Sequence, residues 1–138
     1  MIVCRSPAEI ERMRAPNALV AEVLAELETM IAPGVRTIDL DLAAERMIRQ
    51  GGARPAFKGY RGYPATLCVS VNDEVVHGIP GDRRLVEADI VSLDMGALLD
   101  GFYGDSAVTV EVGRTPSRTG ELLTVTRDAL ERAIERVK

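Results

Sequence analysis

Ile90-Val91-Ser92-Leu93-Asp94-Met95-Gly96-Ala97-Leu98-Leu99, Asp100-Gly101, and Phe102-Tyr103-Gly104-Asp105-Ser106-Ala107-Val108-Thr109-Val110-Glu111-Val112 form the stretch from which the fold is read. Two β-rich runs flank an Asp-Gly pair, the strongest short-range signal for a two-residue hairpin turn. With Asp100-Gly101 as that turn, Leu99 faces Phe102 and Asp94 lies opposite Ala107. Asp105 sits two residues before Ala107 on its strand, so side-chain alternation places Asp94 and Asp105 on one face as diagonal neighbours. Their backbones are then about 7–8 Å apart, close enough for both carboxylates to reach one ion. A slip of one residue would separate them onto opposite faces.

Asp94 follows Ile90-Val91-Ser92-Leu93, a run that otherwise reads as buried. A carboxylate there needs a cation or several donors, because an isolated buried charge is very costly. Residue type alone leaves two readings open. The pair could cap turns or make buried hydrogen bonds, or it could bridge a dinuclear centre that activates water and polarises a carbonyl. Asp100 fits the turn and needs no functional explanation. His77 is the only histidine, so a metal site within this chain must be mainly carboxylate.

Helical patterns flank the hairpin. Ser6-Pro7-Ala8-Glu9 predicts a capped helix start, and apolar residues recur from Ile10 to Ile31 with helical period. Pro16 falls inside this pattern and predicts a kink or two abutting helices, and Pro33-Gly34 the end of the element. A second helix is expected from Thr37 to the Gly51-Gly52 stop. Residues 53–65 read as a glycine-rich aromatic loop, Thr66–Val71 as a short strand and Asn72–Pro80 as irregular. Leu122, Val125, Ala129, Leu130, Ala133, Ile134 and Val137 predict a last amphipathic helix running to the final residue. Its Arg127–Ile134 segment echoes Ala21–Leu27, either by shared composition or as the start of a second structural repeat. The fold class expected is α+β, with helices packed on an antiparallel sheet.

Composition removes several function classes. A chain of 138 residues with 46% hydrophobic and 28% charged residues has the balance of one globular domain. A net charge of −4 gives no electrostatic footprint for nucleic acid or an anionic membrane. No apolar run approaches the roughly 20 residues that span a bilayer. The Met1–Pro7 start has no basic-then-apolar order, so no signal peptide is expected. Two cysteines, Cys4 and Cys68, make no disulfide scaffold, and the cytoplasm is the expected location.

Four segments in register carry a resemblance: Gly59-Tyr60-Arg61-Gly62-Tyr63-Pro64, Cys68 through Pro80 around His77-Gly78, Asp89 through Gly96, and Gly101-Phe102-Tyr103-Gly104-Asp105-Ser106-Ala107. Together they resemble the type I methionine aminopeptidases, metallopeptidases of pita-bread fold, along essentially the whole chain. The resemblance implies that Asp94 and Asp105 are metal ligands. It implies that His77 is a catalytic, substrate-side residue that positions the peptide and stabilises the reacting carbonyl. Tyr60, Tyr63 and Cys68 would line the pocket for the N-terminal methionine side chain, with Phe57 at a further pocket position. Asn72 matches part of a monovalent-cation site in some members. Outside this context, His77 would read as a surface histidine, the tyrosines as loop anchors and Cys68 as a small buried hydrophobe.

The implied cofactors are two divalent ions of cobalt, manganese, iron or zinc type, joined in some members by a monovalent cation. The implied partners are the N-terminal methionine peptide of nascent chains and the ribosome, with no nucleic acid and no membrane. A histidine and two glutamates that complete the family's metal site have no match here. Residues 1–138 are therefore expected to be the first repeat and the first helix of the second, the first half of the pita-bread fold. Such a chain is expected to be inactive alone and to self-associate through the face left open. The other readings are a non-catalytic peptide- or ribosome-binding module of this fold, and a proline-directed peptidase.

Overall fold

The computed structural model describes residues 4–137. The helix start read at Ser6 is present. Glu9 N–H donates to Ser6 Oγ at 3.3 Å, and Glu9 Oε2 accepts from Ser6 N–H at 2.8 Å, a reciprocal box that satisfies two otherwise orphaned amides. Helix α1 (Pro7–Met30) runs unbroken through the buried Pro16, so it is one helix and not two abutting ones. It ends three residues before Pro33. Helix α2 (Thr37–Gln50) carries a buried stripe of Thr37, Leu40, Asp41, Ala44 and Ile48, the i, i+3, i+4 spacing of a face turned to a core.

The sheet has four antiparallel strands: β1 (Arg54–Pro55), β2 (Leu67–Val71), β3 (Ile90–Leu99) and β4 (Phe102–Glu111). β3 is central, with β4 along one side and β2 and β1 sharing the other. The Asp100-Gly101 turn has φ of 50° and 84°, both in the left-handed region that a two-residue hairpin turn matching strand twist demands. The register is the one read from the sequence: Leu99 pairs with Phe102, Asp94 with Ala107 and Gly96 with Asp105. Helix α1 braces this turn, since Arg12 donates to the Asp100 carbonyl at 2.9 Å and its guanidinium lies 4.7 Å from the Phe102 ring centroid.

One face of the sheet, with Leu67, Val69, Val71, Val91, Leu93, Met95 and Ala97, is buried against Val20, Val23, Leu24 and Leu27 of α1 and Leu40, Ala44 and Ile48 of α2. The helices take that face, so the opposite face is left to Cys68, Ser70, Ser92, Asp94, Asp105, Ala107 and Thr109. Ser92 and Thr109 hydroxyls meet there at 2.9 Å.

Among the described residues β4 pairs with β3 alone. Ladder alternation therefore turns the backbone N–H and C=O groups of Tyr103, Asp105, Ala107, Thr109 and Glu111 to the outer side. Helix α3 (Ser117–Arg136) has no buried residue, and Leu122, Val125, Leu130 and Ile134 are exposed along it. The helix ends at Arg136 and Val137 is already non-helical, so the reading that carried it through Val137 is too long; Lys138 lies outside the described residues, as do Met1–Val3 of the N-terminal reading. No described helix is long and apolar enough to cross a membrane.

Candidate functional site

The hairpin register places Asp94 and Asp105 on the polar face, diagonal across β3 and β4. Asp94 is half-buried and Asp105 exposed. Burial holds the Asp94 carboxyl above the usual carboxylate range, the negative charge of Asp105 pushes it the same way, and His77 opposes them. Two like charges in a partly desolvated setting are relieved by a cation, and carboxylate oxygens are suitable donors for hard and borderline divalent ions. Among the described residues no third histidine, cysteine, aspartate or glutamate joins them in a ligand cluster. The pair fits part of a metal site and requires further donors.

Beside the pair lies a cleft of about 610 Å³ lined by Phe57, Tyr60, Tyr63, Cys68, His77, Ile79 and Asp94, among others. Of the residues singled out by sequence, five thus meet Asp94 at one place: Phe57, Tyr60, Tyr63, Cys68 and His77. Each is set there by a local device. Phe57 lies over β3 where Gly96 has no side chain; a Cβ at Gly96 would come 2.8 Å from its ring. Tyr60 sits in a single 3-10 turn, Tyr60–Gly62, and is largely exposed. The Tyr63 hydroxyl is shared between the Leu67 carbonyl at 3.1 Å and the Gly78 carbonyl at 3.0 Å. Cys68 pairs with Asp94 across β2 and β3.

Burial raises the pKa of the Tyr63 phenol, and burial together with the nearby aspartates raises that of the Cys68 thiol. Both therefore stay neutral, which suits a pocket for an apolar side chain. Its walls combine apolar bodies with a few fixed polar groups, the common make-up of ligand clefts.

His77 adopts φ of 59°, a left-handed conformation uncommon outside glycine and often found where function constrains the backbone. Its neighbour Gly78 explains how it is held. Gly78 O accepts from Val69 N–H at 2.9 Å, and Gly78 N–H donates to Ser70 Oγ at 3.1 Å, so the loop is laced to the outer edge of β2.

Asn72 stands apart from the cleft, at the end of β2, with φ of 59°. Its amide group is engaged in the fold: Oδ1 accepts from Ile90 N–H at 3.0 Å, and Nδ2 donates to Asp89 at 2.8 Å. Any part in holding a monovalent cation would therefore fall to its backbone carbonyl. Ile79 and Pro64 line the cleft without having been singled out from sequence; an isoleucine and a proline in a loop carry no chemical signature of their own.

The profile described as metallopeptidase family M24 matches residues 11–138. Methionine aminopeptidase 1 of Bacillus subtilis is 46% identical over 100% of this chain and 56% of its own length. The methionine aminopeptidase of Borreliella burgdorferi is 48% identical over 97% of this chain and 53% of its own length. The crystal structure of methionine aminopeptidase from Thermotoga maritima superposes with a TM-score of 0.96 at 45% identity, covering 100% of this chain and 56% of that one. The chain thus spans about half the length of the relatives it matches. A prolidase from Pyrococcus furiosus, 23% identical with a TM-score of 0.81, shares the fold.

Proposed function

The chain belongs to metallopeptidase family M24, and from that premise we propose that it is the metal- and substrate-binding first half of a methionine aminopeptidase. The reading is carried by one observation, the meeting of the Asp94–Asp105 carboxylate pair with the Tyr63–Cys68–His77 cleft. The fold is correspondingly half of a pita-bread architecture, α+β with helices on an antiparallel sheet. The activity proposed for the whole protein is removal of the initiator methionine from nascent polypeptides in the cytoplasm.

Asp94 and Asp105 would hold divalent ions of cobalt, manganese, iron or zinc type, with the remaining donors supplied from outside the described residues. When bound, the ions supply Lewis-acid polarisation of the carbonyl and a lowered water pKa. The protein residues do the rest. The cleft receives the methionine side chain between Phe57, Tyr63 and Cys68, excluding water from it. Tyr63, its proton committed to backbone carbonyls, keeps the wall rigid. His77 stands at the rim beside Asp94, placed to donate a hydrogen bond to the scissile carbonyl oxygen as charge develops there. Two carboxylates alone cannot fix two ions in a productive geometry, so this half is proposed to be inactive by itself.

Adding manganese at about ten times its dissociation constant should stabilise the chain by ~1.4 kcal/mol by mass action, read as a rise in Tm. Asp94→Asn and Asp105→Asn should each abolish that rise. Methionine release from a Met-Ala-Ser peptide should stay at the blank rate. A manganese response that survives both substitutions would remove the metal site, and normal release would remove the incomplete-site reading. Metal-independent peptide binding, unchanged in Asp94→Asn, would favour the binding-module alternative.

A further inference from the structure

The entrance to β2 carries two polar features that core packing alone does not explain. Asp41 lies on the buried stripe of α2 at 4% exposure, and it takes part in no ion pair among the described residues. Thr66, at 0% exposure, has a hydroxyl with no hydrogen-bond partner. The Thr66 hydroxyl departs from the rule of satisfied interiors, and such departures concentrate where function, not stability, dictates the residue.

Asp41 Oδ1 accepts both the Thr66 N–H and the Leu67 N–H, each at 2.8 Å. The next links lead straight to the cleft. The Leu67 carbonyl is one of the two acceptors of the Tyr63 hydroxyl. The other acceptor is the carbonyl of Gly78, the residue after His77. Cys68 follows Leu67 and faces Asp94. A single buried oxygen therefore holds the segment to which two cleft residues, Tyr63 and Cys68, are tied.

We propose that Asp41 is a positioning residue for the methionine pocket, holding residues 66–67 so that Tyr63 and Cys68 keep one spacing across the cleft. The proposal rests on the aminopeptidase reading for the identity of the ligand, but the clamp itself rests on geometry. The charge of Asp41 reaches both Tyr63 and Cys68, pushing each toward its neutral form, which agrees with its closeness to the pocket wall. Two backbone donors on one charged oxygen make a stiffer hinge than neutral hydrogen bonds, because charge-assisted bonds are shorter and roughly twice as strong. Asp41 does not touch the substrate.

The experiment uses the full chain with Cys4→Ser, which leaves Cys68 as the only thiol. Iodoacetamide alkylation of Cys68 is measured with and without Met-Ala-Ser peptide, alongside unfolding free energy in urea. Asp41→Ala is compared with Val20→Ala, a core change in α1 that removes none of the clamp's hydrogen bonds, at equal unfolding free energy. The expected result is alkylation at least tenfold faster in Asp41→Ala than in Val20→Ala, with peptide protection lost only in the former. Asp41→Asn, which retains an oxygen at the same reach, should stay within about threefold of the parent. Should Asp41→Ala not fold, Asp41→Ser is read by the same criteria. Equal alkylation in the two alanine variants at matched stability, or an Asn variant as impaired as the Ala variant, overturns the clamp. A parent chain that the peptide does not protect overturns the aminopeptidase assignment of the cleft, and the clamp is then decided by the alkylation comparison alone.

Discussion

Gly78→Ala is expected to release the His77 loop from the sheet and to abolish protection of the cleft by a methionine peptide. A Cβ at this position would lie 2.1 Å from the Val69 carbonyl oxygen and 2.7 Å from its carbon. These are backbone atoms of a buried strand and cannot rotate aside, so the loop has to lift. Lifting removes the Val69-to-Gly78 bond at 2.9 Å and deprives the Tyr63 hydroxyl of one of its two acceptors. It also removes the restraint that keeps His77 at positive φ, and the ring is then no longer aimed beside Asp94. The loss should be about 1–3 kcal/mol, the usual range for forcing extra volume into a packed contact. Amide exchange reads it directly: Val69 N–H should exchange at least tenfold faster, while Leu93 N–H in the middle of the sheet changes far less. Unchanged protection at Val69 would show that the loop is not held in this way.

Gly104→Ala acts on the opposite face and should lower stability of the whole chain. Its Cβ would stand 2.4 Å from the Pro16 carbonyl oxygen and 2.5 Å from the Pro16 carbonyl carbon. Here a helix backbone rests directly on a strand backbone, and α1 must withdraw from β4 to admit one methyl group. That withdrawal opens the seam around Val20 and Val23, both buried. About 3 kcal/mol is expected, a large fraction of a typical domain's 5–15 kcal/mol, read as a fall of about 10 °C in Tm for a chain of this size. Gly34→Ala is the control. Nothing lies within 4 Å of its Cβ, although its φ is 94°, so only the left-handed backbone penalty of about 1–2 kcal/mol applies. Equal losses at the two positions would mean that α1 and β4 do not meet backbone to backbone at this point.

The contrast between these glycines and the hairpin explains what could be read from sequence. The Asp100-Gly101 turn and the alternation on either side are local signals, so the register of β3 and β4 followed from them, and with it the common face of Asp94 and Asp105. The capping box at Ser6 and Glu9 was legible for the same reason. The two-residue strand β1, the 3-10 turn at Tyr60–Gly62 and the docking of Gly78 on β2 have no period to detect. They exist because distant backbone groups meet, and a single sequence does not display such meetings. Asp41 is an intermediate case. It shares the buried stripe of α2 with Thr37, Leu40, Ala44 and Ile48, so a carboxylate on an apolar face was present to be noticed. Its partners, Thr66 and Leu67, are 25 and 26 residues away. The resemblance to aminopeptidases supplied His77, Tyr63 and Cys68 as candidates, and the fold brings them to one cleft. Asn72 it leaves outside, at a strand end.

The open side of β4 carries a consequence for colloidal behaviour. A ten-residue edge strand is a template on which a second chain can stack, and β proteins usually blunt such edges with lysine, proline or a bulge. Phe102–Glu111 contains no lysine and no proline, and its ladder with β3 is uninterrupted. Mid-strand, the only charge that interrupts it is Asp105. The carboxylate proposed to bind metal is thus expected to oppose stacking of copies along this strand by repulsion. Asp105→Asn should scatter light at a lower protein concentration than Asp128→Asn, which removes the same charge from exposed α3. Equal scattering would show that the edge is guarded by something other than this one acid.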